Sequence, residues 1–232
     1  MKSLGLSLQK WGGKVKIMNL ALANIRKSKS ATASLFIFIL VAALLLNIGL
    51  MVITQVSAFF DSKVEQLKDP HVITMMEYAS YDSNYEKFIA NYSGVTETET
   101  EEIIIMNIAK FNFGNSELAS NATIFNADDK RSIGALKLIE KINTSSANDI
   151  FIPYSFKTNG GYKLGENFTI TYQEKDYDYR IAGFFETTMM GTTSDGIIKF
   201  MLPETSYQVL ADELDNVSKG LIISAVMEDQ TQ

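Results

Sequence analysis

The sequence predicts an α+β protein: an N-terminal interfacial helix and one transmembrane helix, then an extracytoplasmic mixed α/β domain of two β-α-β units with an inserted β-rich subdomain. Three observations predict it. Leu35 to Ile53 is a run of nineteen residues without a charge, and Asn47 is its one strongly polar side chain. The seven basic residues of positions 1–60 all precede that run, and no acidic residue accompanies them. From His71 onward, period-two alternation and helical spacing succeed one another to Val226.

At about 1.5 Å of rise per residue, nineteen residues reach roughly 28 Å, close to the ~30 Å hydrocarbon core of a bilayer. The charge split sets the expected orientation. Residues 1–60 carry +7, whereas the 14 basic and 27 acidic residues after Phe60 leave −13. Basic residues close to a span end are retained in the cytoplasm, which places the N-terminus inside and residues 59–232 outside. The part beyond the span is long enough for one domain with its own core. It contains no cysteine, so neither a disulfide framework nor a thiolate metal site is available to it.

Taken in order, residues 1–34 are a basic N-terminus with an amphipathic interfacial helix. Met18, Ala21, Leu22 and Ile25 share one face at helical spacing while Lys16, Asn19, Arg26 and Lys27 lie on the other. Such a helix rests at the inner lipid surface with its cations near anionic headgroups. Residues 35–58 are the span. Val56-Ser57-Ala58 has the small-residue look of a signal cleavage site, but the apolar run exceeds the ~7–15 residues of a signal core, so a retained anchor is expected. Residues 59–69 continue the helix as a stalk, with Val56, Phe60, Val64 and Leu67 on one stripe. Asp69-Pro70 stops it, since a residue before proline is driven out of helical geometry.

Residues 70–148 are the first part of the α/β portion. His71 to Tyr78 reads as a strand. Asp82 to Tyr92 reads as a helix with Ser83 and Glu86 in capping-box spacing and Gly94 at its exit. Ile103 to Phe113 and Ala122 to Phe125 read as strands, and Ala135 to Ile142 as a short helix. Residues 149–186 are the inserted β-rich subdomain. Phe168, Ile170 and Tyr172 alternate, Glu174-Lys175-Asp176 turns the chain, and Tyr177, Tyr179 and Ile181 alternate again, which describes a hairpin. Residues 187–232 return to strand, helix and strand: Ile197 to Leu202, a helix after Pro203 with Tyr207, Leu210 and Leu214 on one face, and Leu221 to Val226.

Few residues carry chemistry. A GxxxxGK[ST] phosphate loop does not occur, so this chain supplies no ATPase and is not expected to be an enzyme. His71 is the sole histidine and reads as structural. Glu97, Glu99, Glu101 and Glu102 read as a solvated strand edge that discourages aggregation, with calcium or a cationic peptide as the alternative. Tyr172, Tyr177 and Tyr179 read as sheet packing, with ligand binding as the alternative. Met189 and Met190 sit among small polar residues and form a candidate cargo or partner loop; packing against the neighbouring subdomain is the alternative. Within the span, Ala43, Asn47 and Gly49 are candidate helix–helix contacts, because an amide is costly against lipid tails.

Three features in order resemble the MacB-like and FtsX-like permeases of bacterial ATP-binding-cassette transporters. They are the basic elbow NLALANIRKSKS (Asn19 to Ser30) before the span, a large domain directly after it, and the segment DIFIPYSFKTNGGYKLGENFTITYQEKDYDYRIAGFFE (Asp149 to Glu186). In the last, Ile152-Pro153, Leu164-Gly165-Glu166 and Ile181-Ala182-Gly183 occupy the family's strand-proline, Leu-Gly-acid and strand-glycine places. The resemblance implies a permease subunit in the bacterial cell membrane, which couples ATP hydrolysis by a cytoplasmic partner to movement of an extracytoplasmic domain. It implies peptide, lipoprotein or other envelope cargo, no cofactor in this chain because the partner binds ATP, further permease spans or a second copy as a homodimer, and no nucleic acid. Asn24, Ile25, Arg26 and Lys27 are the candidate ATPase-coupling positions. Family permeases have three more spans after the outer domain, so the chain is expected to be a fragment of a longer one. Two alternatives stand beside this. One is a single-span sensor or binding protein with no ATPase partner; the other is a secreted protein released after Ala58.

Overall fold

The computed structural model describes residues 29–214 and 218–228, and the chain divides into two compact units, Met1–Phe59 and Phe60–Gln232. The interfacial helix and its Asn24, Ile25, Arg26 and Lys27 lie outside the described residues. Helix α1 (Lys29–Leu67) begins in the first unit and ends in the second. Its 39 residues make about 58 Å of unbroken helix. It is long and apolar enough to cross a membrane, and none of its most hydrophobic window is buried against the protein. Two polar side chains in this stretch return to their own helix. Asn47 Nδ2 donates to the Ala43 carbonyl at 3.5 Å, and Thr54 Oγ1 to the Leu50 carbonyl at 3.0 Å.

The last eight residues of α1 belong to the second unit. There the helix closes in a Schellman turn: Asp69 N–H bonds the Val64 carbonyl and Lys68 N–H bonds the Glu65 carbonyl. Lys68 takes the left-handed position, φ +49°, that glycine usually fills. Pro70 then prevents continuation.

The rest of the second unit is one nine-stranded sheet. The strands are β1 (Val72–Glu77), β2 (Val95–Phe113), β3 (Ser116–Asn126), β4 (Lys137–Lys141), β5 (Asp149–Pro153), β6 (Asn167–Tyr172), β7 (Lys175–Glu186), β8 (Ile197–Leu202) and β9 (Lys219–Met227). The helices are α2 (Ser83–Ala90), α3 (Tyr154–Thr158) and α4 (Glu204–Glu213). The order is β1-β9-β2-β3-β8-β5-β7-β4, and β6 joins β7 to β2.

Two β-α-β units interlock in this sheet. In β1-α2-β2 the strands are parallel and β9 runs antiparallel between them; in β8-α4-β9 the β2-β3 hairpin lies between. Each unit is completed by a strand of the other. The segment 149–186 is β-rich, and its strands hydrogen-bond directly into the common sheet. β5 pairs β8 and β7, the β6-β7 hairpin follows, and β6 returns to β2 through Lys110 and Thr171. The strands β2, β3, β8, β5, β7 and β6 thus form a closed ring.

Inside that ring lies the main core. Phe111, Phe156, Phe168 and Phe200 are each at most 2% exposed, and their ring centroids lie 5.3–6.2 Å apart in tilted and edge-on pairs. Helix α3, only one turn long, carries Phe156 into it, and α4 adds Tyr207 and Leu210. Gly160 ends the turn after α3, where a Cβ would fall 2.5 Å from the Phe156 carbonyl oxygen. Phe125, Phe185, Met190, Met201, Ile103 and Ile222 form a second, smaller core.

Three local expectations are corrected. Ala135 to Ile142 contains strand β4, not a helix. The segment is too short to hold a helix alone, and pairing with β7 supplies its hydrogen bonds while Leu136 and Leu138 pack on the smaller core. Helix α2 is capped by Asp82, which accepts from Asn84 N–H at 2.9 Å, and Glu86 instead accepts from the Tyr81 hydroxyl. Strand β3 begins at Ser116, six residues before Ala122, because Gly114 (φ +64°) lets β2 fold directly back as a hairpin.

Candidate functional site

One set of polar groups in the second unit gathers where the stalk, the last turns of α1, meets the sheet. Leu67 is buried there, and Asp69, just past the helix, is 7% exposed. Asp69 Oδ2 accepts two hydrogen bonds from Thr188, from the backbone N–H at 2.8 Å and from Oγ1 at 2.6 Å. Gly134 N–H donates to the Lys68 carbonyl at 2.7 Å. A Cβ on Gly134 would stand 3.4 Å from Asp69 Oδ1, and its φ of +63° suits glycine. One turn earlier, Lys63 pairs with Glu186 at the end of β7 at 2.8 Å, and Lys137 of β4 joins the same carboxylate at 3.3 Å. The hydrogen bond from Lys63 leads the causes that hold the Glu186 carboxyl below its ordinary range. The stalk end is therefore held by β4, by the end of β7 and by the loop 187–191.

Beneath this clasp lies a buried charge cluster. Lys199 of β8 is 7% exposed, with its ammonium 4.3 Å from the centroid of the Phe125 ring. Burial pushes its pKa down from 10.5 to about 8, against the attraction of Glu101 and Asp69. Glu101 of β2 pairs with Arg131 Nε at 2.6 Å, and Arg131 also donates to the Asn126 carbonyl. Burial raises the Glu101 pKa and outweighs the cations beside it. A small cavity between the stalk end and the sheet is lined by Asp69, Thr187, Met189, Met190, Glu101 and Lys199.

The acidic run is divided by this arrangement. The half of β2 that carries it pairs with β9 on one side only, and the loop after β3 covers the other. Glu97 and Glu102 are exposed, as a solvated edge requires. Glu99 and Glu101 are half-buried and engaged. Glu99 accepts from Ser132 and Ile133 N–H, at 3.1 and 2.8 Å, and Glu101 holds Arg131, so these two carboxylates fasten the covering loop to the strand. Among the described residues no cluster of three or more His, Cys, Asp or Glu is placed to hold a metal ion.

The other expected positions fall as follows. Met190 is buried in the smaller core with φ +56°, its sulfur 3.8 Å from Thr123 Oγ1, which agrees with the packing alternative given for it. Met189 is half-buried beside the stalk clasp. Ala43 and Asn47 are one helical turn apart on one exposed face of α1, whereas Gly49 projects about 160° away from Asn47, so the three do not form one contact face. His71 Nδ1 accepts from Met227 N–H at 2.9 Å and the His71 backbone N–H donates to the Ala225 carbonyl, a structural use. Tyr172 and Tyr179 pack in the main core. Asp69 is legible in sequence only as a helix stop, and Lys199 only as a charge inside the apolar strand IIKFML.

A groove of about 490 Å³ opens between the 3-10 turn Tyr78–Ser80 and α4, lined by Tyr78, Glu102, Ile104, Tyr207, Asp212 and Lys219 among others.

No family model matches the sequence, and no curated protein matches it. Among the solved structures similar to this chain are the following two. One is a domain of a proposed permease protein from Porphyromonas gingivalis, with 15% identity and a TM-score of 0.37, covering 68% of this chain and 77% of that one. The other is the periplasmic region of MacB from Actinobacillus actinomycetemcomitans, with 10% identity and a TM-score of 0.33, covering 68% of this chain and 75% of that one. At these values the likenesses carry no functional argument.

Proposed function

We propose that this chain is a permease-type subunit of a bacterial ATP-binding-cassette transporter of the MacB-like and FtsX-like kind. In this reading its N-terminus is cytoplasmic, α1 crosses the membrane, and the sheet domain works on the extracytoplasmic side on peptide, lipoprotein or envelope-protein cargo. A separate ATPase binds and hydrolyses ATP; the chain's own task is mechanical. The observation that carries the reading is the unbroken helix Lys29–Leu67, whose end is clasped to the sheet at Asp69. In this reading, displacement of the span is passed to the sheet through the clasped end of α1. The basic elbow at Asn24, Ile25, Arg26 and Lys27 is where an ATPase would push, and a second copy or further spans would pack on the Asn47 face of α1.

The test is a photo-cross-linking residue at position 26 or 27 of the full chain in its native membrane. The expected product is a covalent adduct with a P-loop ATPase, whose hydrolysis rate falls when Arg26 and Lys27 are reversed to Glu. If no nucleotide-binding protein is captured, or if the hydrolysis rate is unaffected by the reversal, the proposal fails. A chain that binds its ligand with no ATPase beside it would be the single-span sensor.

A further inference from the structure

The two terminal strands of the sheet differ in character. β4, KLIEK, has charged side chains at both ends, Lys137, Glu140 and Lys141, as an open edge does when it is kept from pairing with another chain. β1, VITMME, carries no charge before Glu77, and among the described residues β9 is its one strand neighbour. The hydrogen bonds around β9 fix which backbone groups of β1 turn outward. The odd-numbered residues of β9 face β1: Met227 N–H donates to His71 Nδ1, and the Ala225 carbonyl accepts from His71 N–H. The even-numbered ones face β2: Glu228 N–H reaches the Gly94 carbonyl, and the Ser218 carbonyl accepts from Ile105 N–H. Val72, Thr74 and Met76 stand opposite Ala225, Ile223 and Leu221, so these three turn their backbone groups to β9. Ile73 and Met75 alternate with them and turn N–H and C=O to the open side, where no hydrogen bond from the described residues meets them.

We infer that β1 is the edge through which two copies of this chain join into one continuous sheet. Pro70, which has no N–H, bounds the open edge on one side and the 3-10 turn Tyr78–Ser80 on the other, so only a short strand fits, and β1 itself has that length. About a two-fold axis at Thr74 the register is self-complementary. Ile73 of each copy lies opposite Met75 of the other, and the two exchange N–H···O bonds through the groups that are turned outward. Val72 then lies opposite Met76, Thr74 opposite Thr74, and Glu77 opposite His71, so no like charges meet. A foreign strand would gain the same backbone bonds; this symmetric pairing of side chains favours a second copy. A pair of six-residue strands is a small contact beside the ~1,200–2,000 Å² of a stable interface. Two copies anchored by α1 in one bilayer meet at a far higher effective concentration than in solution, which makes so small a contact sufficient. The inference rests on the reading of α1 as a span and goes beyond it: the Asn47 face would join copies within the membrane, whereas β1 joins their sheets.

The chain has no cysteine, so an introduced thiol reports this contact alone. The test is disulfide formation under copper-phenanthroline oxidation, with the full chain reconstituted at a low protein-to-lipid ratio in phosphatidylcholine–phosphatidylglycerol vesicles. Val72 and Thr74 are exposed, so both sites accept a substitution. Thr74→Cys puts the two thiols on the axis, where paired Cα atoms stand about 4.5 Å apart, within reach of a disulfide. In the same register the two copies of residue 72, or of residue 76, stand about 13 Å apart along the strands. Thr74→Cys should therefore give linked dimer at least about tenfold faster than Val72→Cys or Met76→Cys alone. Val72→Cys and Met76→Cys combined in one chain should link at a rate close to that of Thr74→Cys. Adding Thr74→Lys to that pair sets two ammonium groups face to face and should remove the product. Equal rates at 72, 74 and 76 overturn the inference, as do the absence of product at 74 and a product that survives Thr74→Lys. Linked dimer at 74 with no ATPase captured at position 26 would sink the transport reading and keep this contact. An ATPase captured at position 26 with no product at 74 would do the opposite.

Discussion

Thr188 gives both its backbone N–H and its hydroxyl to a single oxygen of Asp69, 119 residues earlier in the chain. The carboxylate is buried just past the C-terminal end of α1, and a charge there is tolerated because both donors are fixed, one by the backbone and one by a short side chain. Thr188→Val keeps the volume and the backbone donor but removes the hydroxyl. It should lower stability by about 1–2 kcal/mol, read as a shift of the urea midpoint with an unchanged slope.

Lys199 makes stability depend on pH in a defined direction. Its pKa is about 8 in the fold and 10.5 as an ordinary lysine. Between those values the unfolded chain binds more protons, so stability rises as pH climbs through 8 and is lower, and flat, below it. Tyr81 and Tyr177, held up to about 12, act in the opposite sense above pH 10, where the unfolded chain loses its phenolic protons first. The clean window is pH 7.5 to 9.5. Wild type should gain about 1–2 kcal/mol across it, while Lys199→Met should be flat.

Arg131→Met should do the reverse by leaving Glu101 buried beside a missing cation. A loss of about 3–5 kcal/mol is expected, and Glu101→Gln in the same chain should recover part of it, a coupling that a double-mutant cycle measures directly.

Lys68 holds the left-handed position of the Schellman turn at φ +49°. Lys68→Gly relieves that strain and should raise the thermal midpoint, with a gain of about 1 kcal/mol. Phe156→Ala should cost about 3–5 kcal/mol, since the ring sits at the centre of the closed strand ring with 0% exposure.

Much of this architecture was legible in the residues. The uncharged run Leu35 to Ile53 announced a membrane-length helix, Asp69-Pro70 announced its stop, and the alternation from Phe168 to Ile181 announced the β6-β7 hairpin. Those signals are local: composition, a proline, and period two. What escaped was non-local. Leu136 and Leu138 sit at spacings that suit a short helix equally well, and only the β7 partner decides for a strand. Met190 among small polar residues looks like a contact loop until Phe125, Phe185 and Met201 are brought around it from three strands. Glu99 and Glu101 look solvated until the loop after β3 folds over them, and Asp69 looks like punctuation until Thr188 arrives. The clasp and its charges join residues 69, 101, 131, 188 and 199, and no spacing rule connects positions so far apart.

In the proposed permease reading, α1 passes displacement of the span to the sheet. It is tested most directly by inserting four glycines after Phe60 in the full chain, reconstituted in nanodiscs with the ATPase captured at position 26. The measurement is the ATP-dependent change in hydrogen exchange of residues 187–191. A clear response to ATP is expected in the wild type and none in the glycine variant, with ATP hydrolysis retained in both. An equal response in the glycine variant would contradict it.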